Sequence, residues 1–443
     1  MKLRKKLKLL PILAIGLTLA ACGAKNADVD NSQATNEDQI TLRFSWWGGE
    51  SRHEATLKAI ELYEKENPNV KIEGEYAGWD GYQEKQTTQM SGGTEADIMQ
   101  VNWNWLTLFS KDGEGFYDIN NLKDKIDLSN YSQDQLDLTT LNGKLNAIPI
   151  GFTGRTFFWN QSTFDKAGVS IPENIDQLKE AGKTFKEKLG DDYYPLDLDP
   201  YSVMLFALYS VEENNGKSFI SADNTEVNYT VDELASGLKL YKELVDSHAI
   251  YPLVDRMGSG VGNGTAEQTA EWIDGRLAGI YEWDSAVNKY MSSLDEANNN
   301  IVLGPYLSIT GNNNAAFTKI SQCFAISKNT KHPEEAAKFI NWLLTDEEAV
   351  KTIGFERGIP ANKKAIETLS KDEDMKNLTF EANKLAMSSK SNDISPYFED
   401  TELQAIYRKA IENYCYEEIT AEEASEEIIN AVNEKLQKEQ KEG

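Results

Sequence analysis

The chain is poor in the residues that build cross-linked and metal-bound proteins. It contains 3 cysteines and 3 histidines in 443 residues, and the histidines (His53, His248 and His332) lie far apart. Zinc sites need several cysteine or histidine ligands at close spacing, so we predict neither a metal site nor a cofactor. A disulfide framework is excluded as well. Cys323 and Cys415 leave room for one bridge, but both have apolar neighbours, and we favour two separate buried thiols.

Positive charge is also scarce. The chain has 45 Lys and Arg against 72 Asp and Glu, a net charge of −27. Binding to nucleic acid and broad adhesion to anionic lipid both depend on clustered positive charge, so we expect neither. Apolar residues make up 40% of the chain, enough for a large core. The length favours two domains or one bilobed body, and we expect a monomer.

The first 21 residues have the pattern of a secretory signal peptide. Basic residues cluster at the start, an apolar run covers residues 9–21, and small residues precede Cys22. This run of about 13 residues is too short to span a hydrocarbon core of roughly 30 Å, and no later run approaches the required length. The basic residues of the segment are Lys2, Arg4, Lys5, Lys6 and Lys8.

The end of this segment, Leu19-Ala20-Ala21-Cys22, resembles the lipobox of bacterial lipoproteins. The resemblance implies that Cys22 is lipidated and becomes the mature N-terminus. Residues 22–39, which are polar and lack periodicity, would then be a lipid-anchored flexible linker. The protein would be held on the extracytoplasmic face of the bacterial cell membrane. The alternative is an ordinary signal peptide followed by a chance cysteine.

Hydrophobic periodicity predicts an α/β fold. Alternation over 40–46 predicts a strand, the capping-box pair Ser51 and Glu54 with an apolar stripe over 57–63 predicts a helix, and alternation over 70–76 predicts a second strand. Such a βαβ unit implies parallel strands. Further strands are predicted at 96–101, 147–150 and 322–327, and a last helix is predicted to open with the capping box of Thr420 and Glu423.

The 9 tryptophans carry most of the functional signal. Trp46 and Trp47 end the first predicted strand, and Trp103 and Trp105 follow the third. Ligands of open parallel sheets bind beyond the carboxyl ends of the strands. Indole rings cover the apolar face of a pyranose, and neighbouring polar side chains bind its hydroxyls, so we predict a sugar site. Its other candidate members are Trp79, Asp80, Asn102, Asn104, Trp272, Trp283 and Asp284.

Each tryptophan also has a structural alternative, a place in the hydrophobic core. We favour that alternative for Trp159 and Trp342. Trp46 continues the inward alternation of its strand, which keeps a core position open for it, whereas Trp47 breaks the alternation.

Three arginines lie in segments that look like turns, beside Gly or Trp: Arg52, Arg155 and Arg357. A guanidinium group binds a carboxylate in bidentate fashion, as on a uronic acid. The alternative for each is a surface or salt-bridge arginine in a chain rich in acids. Their convergence on one site would favour the first interpretation.

Several of these segments resemble family 1 extracellular solute-binding proteins of sugar ABC transporters. The resemblance runs from about Ile40 to Glu427, and the order of the motifs is most similar to oligogalacturonide-binding proteins of pectin-using bacteria. The segment 151–155 departs from that pattern around Arg155. The matching segments are Trp46-Trp47-Gly48-Gly49, Gly78-Trp79-Asp80-Gly81-Tyr82, Gly92 to Gln100, Asn102-Trp103-Asn104-Trp105, Gly115-Phe116-Tyr117-Asp118, Ile148-Pro149-Ile150, Arg357-Gly358-Ile359-Pro360 and Ser395-Pro396-Tyr397-Phe398.

The resemblance implies a two-lobed, type II periplasmic-binding-protein-like fold, in which each lobe is a mainly parallel sheet flanked by helices. The N-terminal lobe would comprise 40–149 and 311–350, and the C-terminal lobe 150–310 and 351–443. An oligosaccharide would bind in the cleft between the lobes and pass to the permease subunits of an ABC importer.

The resemblance also implies a binding protein without catalytic residues. With the turn arginines it favours an acidic, oligogalacturonide-like ligand, whose carboxylate Arg155 and Arg52 would bind. A neutral oligosaccharide is the alternative ligand, and a secreted glycoside hydrolase the alternative activity, since two acids about 5–9 Å apart would suffice for hydrolysis. The residues expected to stack on sugar rings are Trp47, Trp79, Trp105 and Trp283.

Overall fold

The computed structural model describes residues 39–79, 81–221, 224–259, 266–294, 300–311, 316–371, 377–389 and 392–442. The expected signal peptide, the lipidation site Cys22, the linker up to residue 38 and the candidate Asp80 lie outside the described residues. Ile40–Gly443 forms one compact unit. None of the described helices combines the length and the apolar character needed to cross a membrane.

Strands and helices alternate one by one over residues 40–109, and runs of helices separate many of the later strands. The strands are β1 (Ile40–Trp47), β2 (Val70–Ala77), β3 (Ile98–Val101), β4 (Thr140–Leu141), β5 (Lys144–Leu145), β6 (Ile148–Asn160), β7 (Gly279–Trp283), β8 (Ile301–Leu303), β9 (Phe317–Ile326), β10 (Ile359–Pro360) and β11 (Asn392–Asp393).

The helices occupy most of the remaining described residues. They are α1 (Glu50–Glu66), α2 (Tyr82–Gly92), α3 (Trp105–Phe109), α4 (Gln133–Asp137), α5 (Gln161–Ala167), α6 (Ile175–Leu189), α7 (Pro200–Asn215), α8 (Val231–Asp246), α9 (Leu253–Gly258), α10 (Ala270–Ile273), α11 (Val287–Ser293), α12 (Pro333–Thr345), α13 (Glu347–Ile353), α14 (Lys363–Leu369), α15 (Leu378–Ser388), α16 (Thr401–Cys415) and α17 (Ala421–Glu442). Short 3₁₀ turns lie at Ile119–Leu122, Leu128–Asn130, Ala266–Gln268, Asp284–Ala286 and Pro396–Glu399.

Most strands belong to one sheet, in the order β10-β6-β9-β3-β1-β2, with β7 and β8 beside β6 and β11 beside β9. β1 pairs parallel with both β2 and β3, as the βαβ pattern predicted. In contrast, β6 pairs antiparallel with β7, β8, β9 and β10, and β3 pairs antiparallel with β9. The α/β class is therefore confirmed, but the strands of the second half do not form the parallel sheet that we expected there.

The two capping boxes have opposite outcomes. At the start of α17, the Glu423 amide donates to Thr420 Oγ1 (3.1 Å) and the Thr420 amide donates to Glu423 Oε2 (2.8 Å), which confirms that box. The box at α1 is wrong, because Gly49 is the N-cap residue and makes no side-chain cap. The Ser51 hydroxyl donates instead to Glu356 Oε2, 2.8 Å away.

Most of the buried apolar residues fall into two sets, and a small cluster of Val350, Ala365 and Leu369 stands apart from them. One set comes from 42–150 and 320–361, and the other from 157–317 and 382–436. The long strands β6 and β9 contribute to both sets. Helix α13 packs on α1 and α12, so residues just beyond 350 join the first set. The limits proposed for the two lobes stay a prediction.

Candidate functional site

Four aromatic rings meet where the first three strands end. Trp47 ends β1, Trp79 follows β2, and Tyr82 and Trp105 begin α2 and α3. Because β1 is parallel to both of its neighbours, the carboxyl ends of the three strands lie at one edge of the sheet. The Trp47 ring centroid lies 5.3 Å from those of Trp79 and Tyr82 and 5.2 Å from that of Trp105. We call these four residues the aromatic rim.

Only one member of the aromatic rim is exposed. The Trp79 side chain is 51% accessible, whereas Trp47, Tyr82 and Trp105 are buried. Trp79 stacks on Trp105, with ring centroids 5.4 Å apart. The buried rings therefore support Trp79, and Trp79 offers an apolar surface to a ligand.

An open groove runs beside the aromatic rim. It consists of two adjoining cavities with about 630 Å³ and about 1040 Å³ of empty space, which share Thr107, Pro396, Tyr397 and Glu439. The lining combines aromatic, amide and charged side chains: Gln83, Trp103, Asn104, Trp105, Lys111, Asp137, Asn224, Tyr397, Asp400, Lys435, Lys438, Glu439 and Gln440.

Distant segments meet across this groove. The Asn104 amide donates to the Glu399 backbone carbonyl, 3.1 Å away. Lys111 Nζ lies 2.9 Å from Glu439 Oε2 of the last helix. The structure thus joins Asn104, which sequence patterns selected, to a segment about 300 residues later in the chain.

A second aromatic group surrounds Arg155. Its guanidinium carbon lies 5.4, 4.9 and 5.3 Å from the ring centroids of Tyr201, Tyr281 and Trp283. The side chain is buried and lies 3.3 Å from the Glu282 carboxylate. In this arrangement a protein carboxylate already neutralises the buried cation, and the expectation that Arg155 binds a ligand carboxylate stays a prediction.

Trp283 has a second cation over its ring, one that the sequence analysis did not select. Lys319 Nζ lies 4.3 Å from its ring centroid and 2.5 Å from Glu399 Oε1. The Tyr201 hydroxyl donates to the same carboxylate oxygen (2.6 Å). Glu399 directly follows the segment 395–398, which resembles the family, so its place in the sequence could have identified it as a candidate. No sequence pattern pointed to Lys319, since a lysine within a strand is unremarkable.

Two of the selected tryptophans lie in hydrophobic cores. Trp46 and Trp272 are both 0% exposed. Trp46 stacks on Tyr76 (5.1 Å) and its Nε1 donates to His53 Nδ1 (3.1 Å), while Trp272 Nε1 donates to the Tyr290 carbonyl (3.1 Å). Neither ring has an exposed face in this arrangement, so the structure places both in a core, and their assignment to a ligand site stays a prediction.

The remaining tryptophans divide between core and groove. Trp159 is fully buried, as expected. Trp342 packs edge-on against Tyr63, with ring centroids 5.1 Å apart. Trp103 lines the groove but is largely buried, and its Nε1 donates to the Leu138 carbonyl (3.1 Å). Asn102 Oδ1 accepts from the Trp103 amide (3.1 Å) and so shapes the turn into α3.

Asp284 has a structural role. It is fully buried and accepts hydrogen bonds from the Thr153 hydroxyl (2.6 Å), the Gly154 amide (3.0 Å) and the Asn383 amide (2.7 Å). These contacts tie β6 to α15. Burial raises the pKa of Asp284 to about 6, although the hydrogen bonds oppose that rise. All of these donors come from the protein, and the expectation that Asp284 contacts a ligand stays a prediction.

Arg52 and Arg357 lie behind the aromatic rim. Arg52 Nε donates to the Glu356 carbonyl (2.7 Å), and its Nη1 donates to the Trp47 carbonyl (3.0 Å). Arg357 is buried and donates to Gln100 Oε1 and Thr56 Oγ1, both at 2.9 Å. The structure therefore brings two of the three predicted arginines together with Trp47, Trp79 and Trp105, and places Arg155 in a different group.

The described residues contain no cluster of side chains suited to a metal ion. Cys323 and Cys415 are both free, so the interpretation as two separate thiols is confirmed.

Comparison with known proteins places this chain in a family. The family model described as "Bacterial extracellular solute-binding protein" matches residues 49–350. The chain belongs to this family. A periplasmic oligogalacturonide-binding protein from Yersinia enterocolitica, solved in complex with saturated digalacturonic acid, is 37% identical, with a TM-score of 0.82 over 90% of this chain and 100% of that one.

Two further matches agree with this assignment. A periplasmic solute-binding protein from Pectobacterium atrosepticum is 36% identical, with a TM-score of 0.84 over 90% of this chain and 100% of that one. A putative binding protein from Brucella abortus is 25% identical over 68% of this chain and 71% of its own length. The expected type II periplasmic-binding-protein-like fold is thereby confirmed. The family is one of binding proteins, and this solute-binding protein shares its fold with them along most of its length.

Proposed function

We propose that this solute-binding protein captures acidic oligosaccharides of the oligogalacturonide type and delivers them to the permease of an ABC importer. The observation that carries the proposal is the aromatic rim beside an open groove, in a chain 37% identical to a protein solved with digalacturonic acid. The signal-peptide and lipobox patterns supply the location, an extracytoplasmic site anchored by lipid at Cys22.

Trp79 is the ring best placed to stack on a sugar, since it is the exposed member of the rim. A stacked ring contributes about 0.5–1.5 kcal/mol. Charge-assisted hydrogen bonds to the charged groups of the groove contribute about 1.5–3 kcal/mol each. One stacked ring and about three such bonds would give a binding free energy near −8 kcal/mol, which corresponds to micromolar affinity. No covalent step is required.

A uronic acid also needs a cation near the rim. Arg155 is less available for this role than an arginine without an ion pair, because Glu282 already pairs with it. Arg52 and Arg357 lie behind Trp47, which favours them as partners of a sugar carboxylate.

Closure around the ligand would produce the form that the permease recognises. Contacts such as Asn104 with Glu399 and Lys111 with Glu439 join opposite walls of the groove. A ligand that touches both walls binds the closed state more tightly than the open state and so shifts the equilibrium toward it.

Calorimetry tests the ligand class. Di- and trigalacturonate are compared with neutral galacto-oligosaccharides of equal length and linkage. We expect micromolar binding of the acidic series and at least tenfold weaker binding of the neutral series, from the loss of a charge-assisted hydrogen bond. Equal or tighter binding of the neutral series would overturn the acidic assignment in favour of a neutral oligosaccharide.

Product analysis tests the alternative activity. The purified protein is incubated with oligogalacturonides and with neutral oligosaccharides, and the sugars are then separated by length. We expect the chain-length distribution to stay constant, as for a binding protein. Sustained release of shorter sugars would support a glycoside hydrolase instead.

A further inference from the structure

Arg357 is a buried guanidinium without an acidic partner. Its side chain is 3% exposed and donates only to the neutral side chains of Gln100 and Thr56. Its Nη1 has no hydrogen-bond partner, and the side chain makes no ion pair within the part of the chain that the structure describes. Uncompensated buried charge is costly, so this arrangement needs an explanation.

The other buried arginines show what is ordinary in this chain. Arg155 and Arg256 are each about 1% exposed, and each is paired with a carboxylate, Glu282 and Asp197 respectively. Arg357, in contrast, pairs with no carboxylate among the residues that the structure describes.

A second cation lies close to Arg357. Burial and the charge of the neighbouring Arg52 both lower the pKa of Arg357, and burial lowers the pKa of Arg52 to about 10, although the charge of Glu356 opposes both shifts. Arg52 likewise makes no ion pair with the described residues, since it meets Glu356 through the backbone carbonyl. The Glu356 carboxylate accepts from Ser51 instead. Two like charges in a poorly solvated place favour an anion between them.

Hydrogen bonds connect this pair directly to the aromatic rim. The Trp47 carbonyl accepts from Arg52 Nη1 (3.0 Å) and from Gln100 Nε2 (3.4 Å). Gln100 Oε1 in turn accepts from Arg357 Nε (2.9 Å). The Trp47 ring contacts Trp79, so the two cations lie at the strand end that carries the rim.

We infer that Arg357 and Arg52 form a carboxylate-binding subsite, which takes the carboxylate of a uronic acid residue held at the aromatic rim. The inference rests on the proposed function. Arg52 is only partly buried, so the carboxylate reaches the pair from the Arg52 side. Gln100 and Thr56 orient the Arg357 guanidinium, and its Nη1 is a buried atom that keeps an unused hydrogen-bond donor.

The test compares digalacturonate with its methyl ester, which has the same rings and linkage but no charge. Affinities are measured by calorimetry for the wild type and for Arg357→Gln and Arg52→Gln. We expect each substitution to weaken digalacturonate binding at least tenfold and to change binding of the ester by less than threefold. Arg276→Gln, at a partly exposed arginine near surface acids, is the matched control and should bind both ligands like the wild type.

The outcomes separate the inference from the proposed function. If the wild type binds neither ligand, or binds both equally well, the proposed function fails. If the wild type prefers the acid but the substitutions weaken acid and ester equally, or weaken neither, then Arg357 and Arg52 only support the fold and the inference fails. Should Arg357→Gln not fold, as judged by circular dichroism, Arg52→Gln alone decides by the same criteria, because its side chain is less buried.

Discussion

Trp79 lies on Trp105 with its ring plane tilted by only 18°, yet the first side chain is 51% exposed and the second 2%. Trp79 therefore presents the exposed apolar surface, and the buried Trp105 ring supports it. Trp105 begins a helix and is packed on Trp47, so the stack is fixed from below. A preorganised apolar surface lowers the entropy that a ligand loses on binding.

Trp79→Ala should therefore affect binding more than stability. We expect ligand affinity to fall about 3- to 10-fold, the equivalent of one stacked ring, and the melting temperature to change little because the side chain is exposed. Calorimetry and thermal melting measure the two effects. Tyr416→Ala, which removes a ring of similar exposure (48%) outside the groove lining, is the control and should leave affinity unchanged. A similar loss of affinity in both variants would count against a binding role for Trp79.

Trp46→Ala and Trp272→Ala should show the opposite pattern. Both rings are fully buried, so each truncation leaves a cavity, and we expect a loss of about 3–5 kcal/mol in the free energy of unfolding. Urea denaturation at constant pH measures it. A loss below about 1 kcal/mol would show that these rings do not belong to the cores in which the structure places them.

Lys319 and Glu399 should behave as a coupled pair. Their side chains are 12% and 7% exposed, and removing one partner of a buried pair costs about 3–5 kcal/mol because the other charge stays buried. We expect Lys319→Met to show such a loss and the double variant Lys319→Met, Glu399→Gln to recover part of it. A double-mutant cycle by urea denaturation gives the coupling energy, and additive losses would contradict the pairing.

Asp284 should make stability depend on pH. Its carboxyl has a pKa of 3.8 when exposed and about 6 when folded, so the folded state binds more protons between these values. The contribution of Asp284 to the free energy of unfolding is therefore greatest below pH 4. It falls as the pH rises to about 6 and stays constant above that pH. The total change is about 3 kcal/mol.

Asp284→Asn isolates this contribution, because the amide does not titrate. We expect the wild type to lose more unfolding free energy than the variant between pH 4 and pH 6, when both are measured by urea denaturation in matched buffers. Parallel pH profiles for the two proteins would contradict the raised pKa.

Cys22→Ala tests the proposed anchor. If Cys22 carries lipid, the wild type should sediment with bacterial membranes, and the variant should leave the membrane fraction or retain its signal peptide. Immunoblotting of the fractions measures this. Cys415→Ala is the control and should fractionate like the wild type, since Cys415 is a free thiol inside the folded unit. Unchanged fractionation of the Cys22 variant would exclude lipid as the anchor.

Local patterns were enough to predict much of the fold. The alternation over 40–46 and 70–76 appears as β1 and β2 in parallel register, and the capping box at Thr420 forms as expected. The box at Ser51 failed because Glu356, about 300 residues away, binds the serine hydroxyl. Pairing in the second half of the sheet was also missed, since strand direction depends on which distant strands meet.

The sequence by itself determined which residue types gather at the strand ends, because strand periodicity and the position of Trp47, Trp79 and Trp105 are local properties. It could not determine which tryptophan is exposed or which arginine is neutralised. Those outcomes depend on side chains brought from elsewhere in the chain: Tyr76 covers Trp46, and Glu282 pairs with Arg155, whereas Arg357 donates to Gln100 and Thr56 and lies over the Phe324 ring. Burial and charge pairing are properties of the packed chain, and only the tertiary structure decided them.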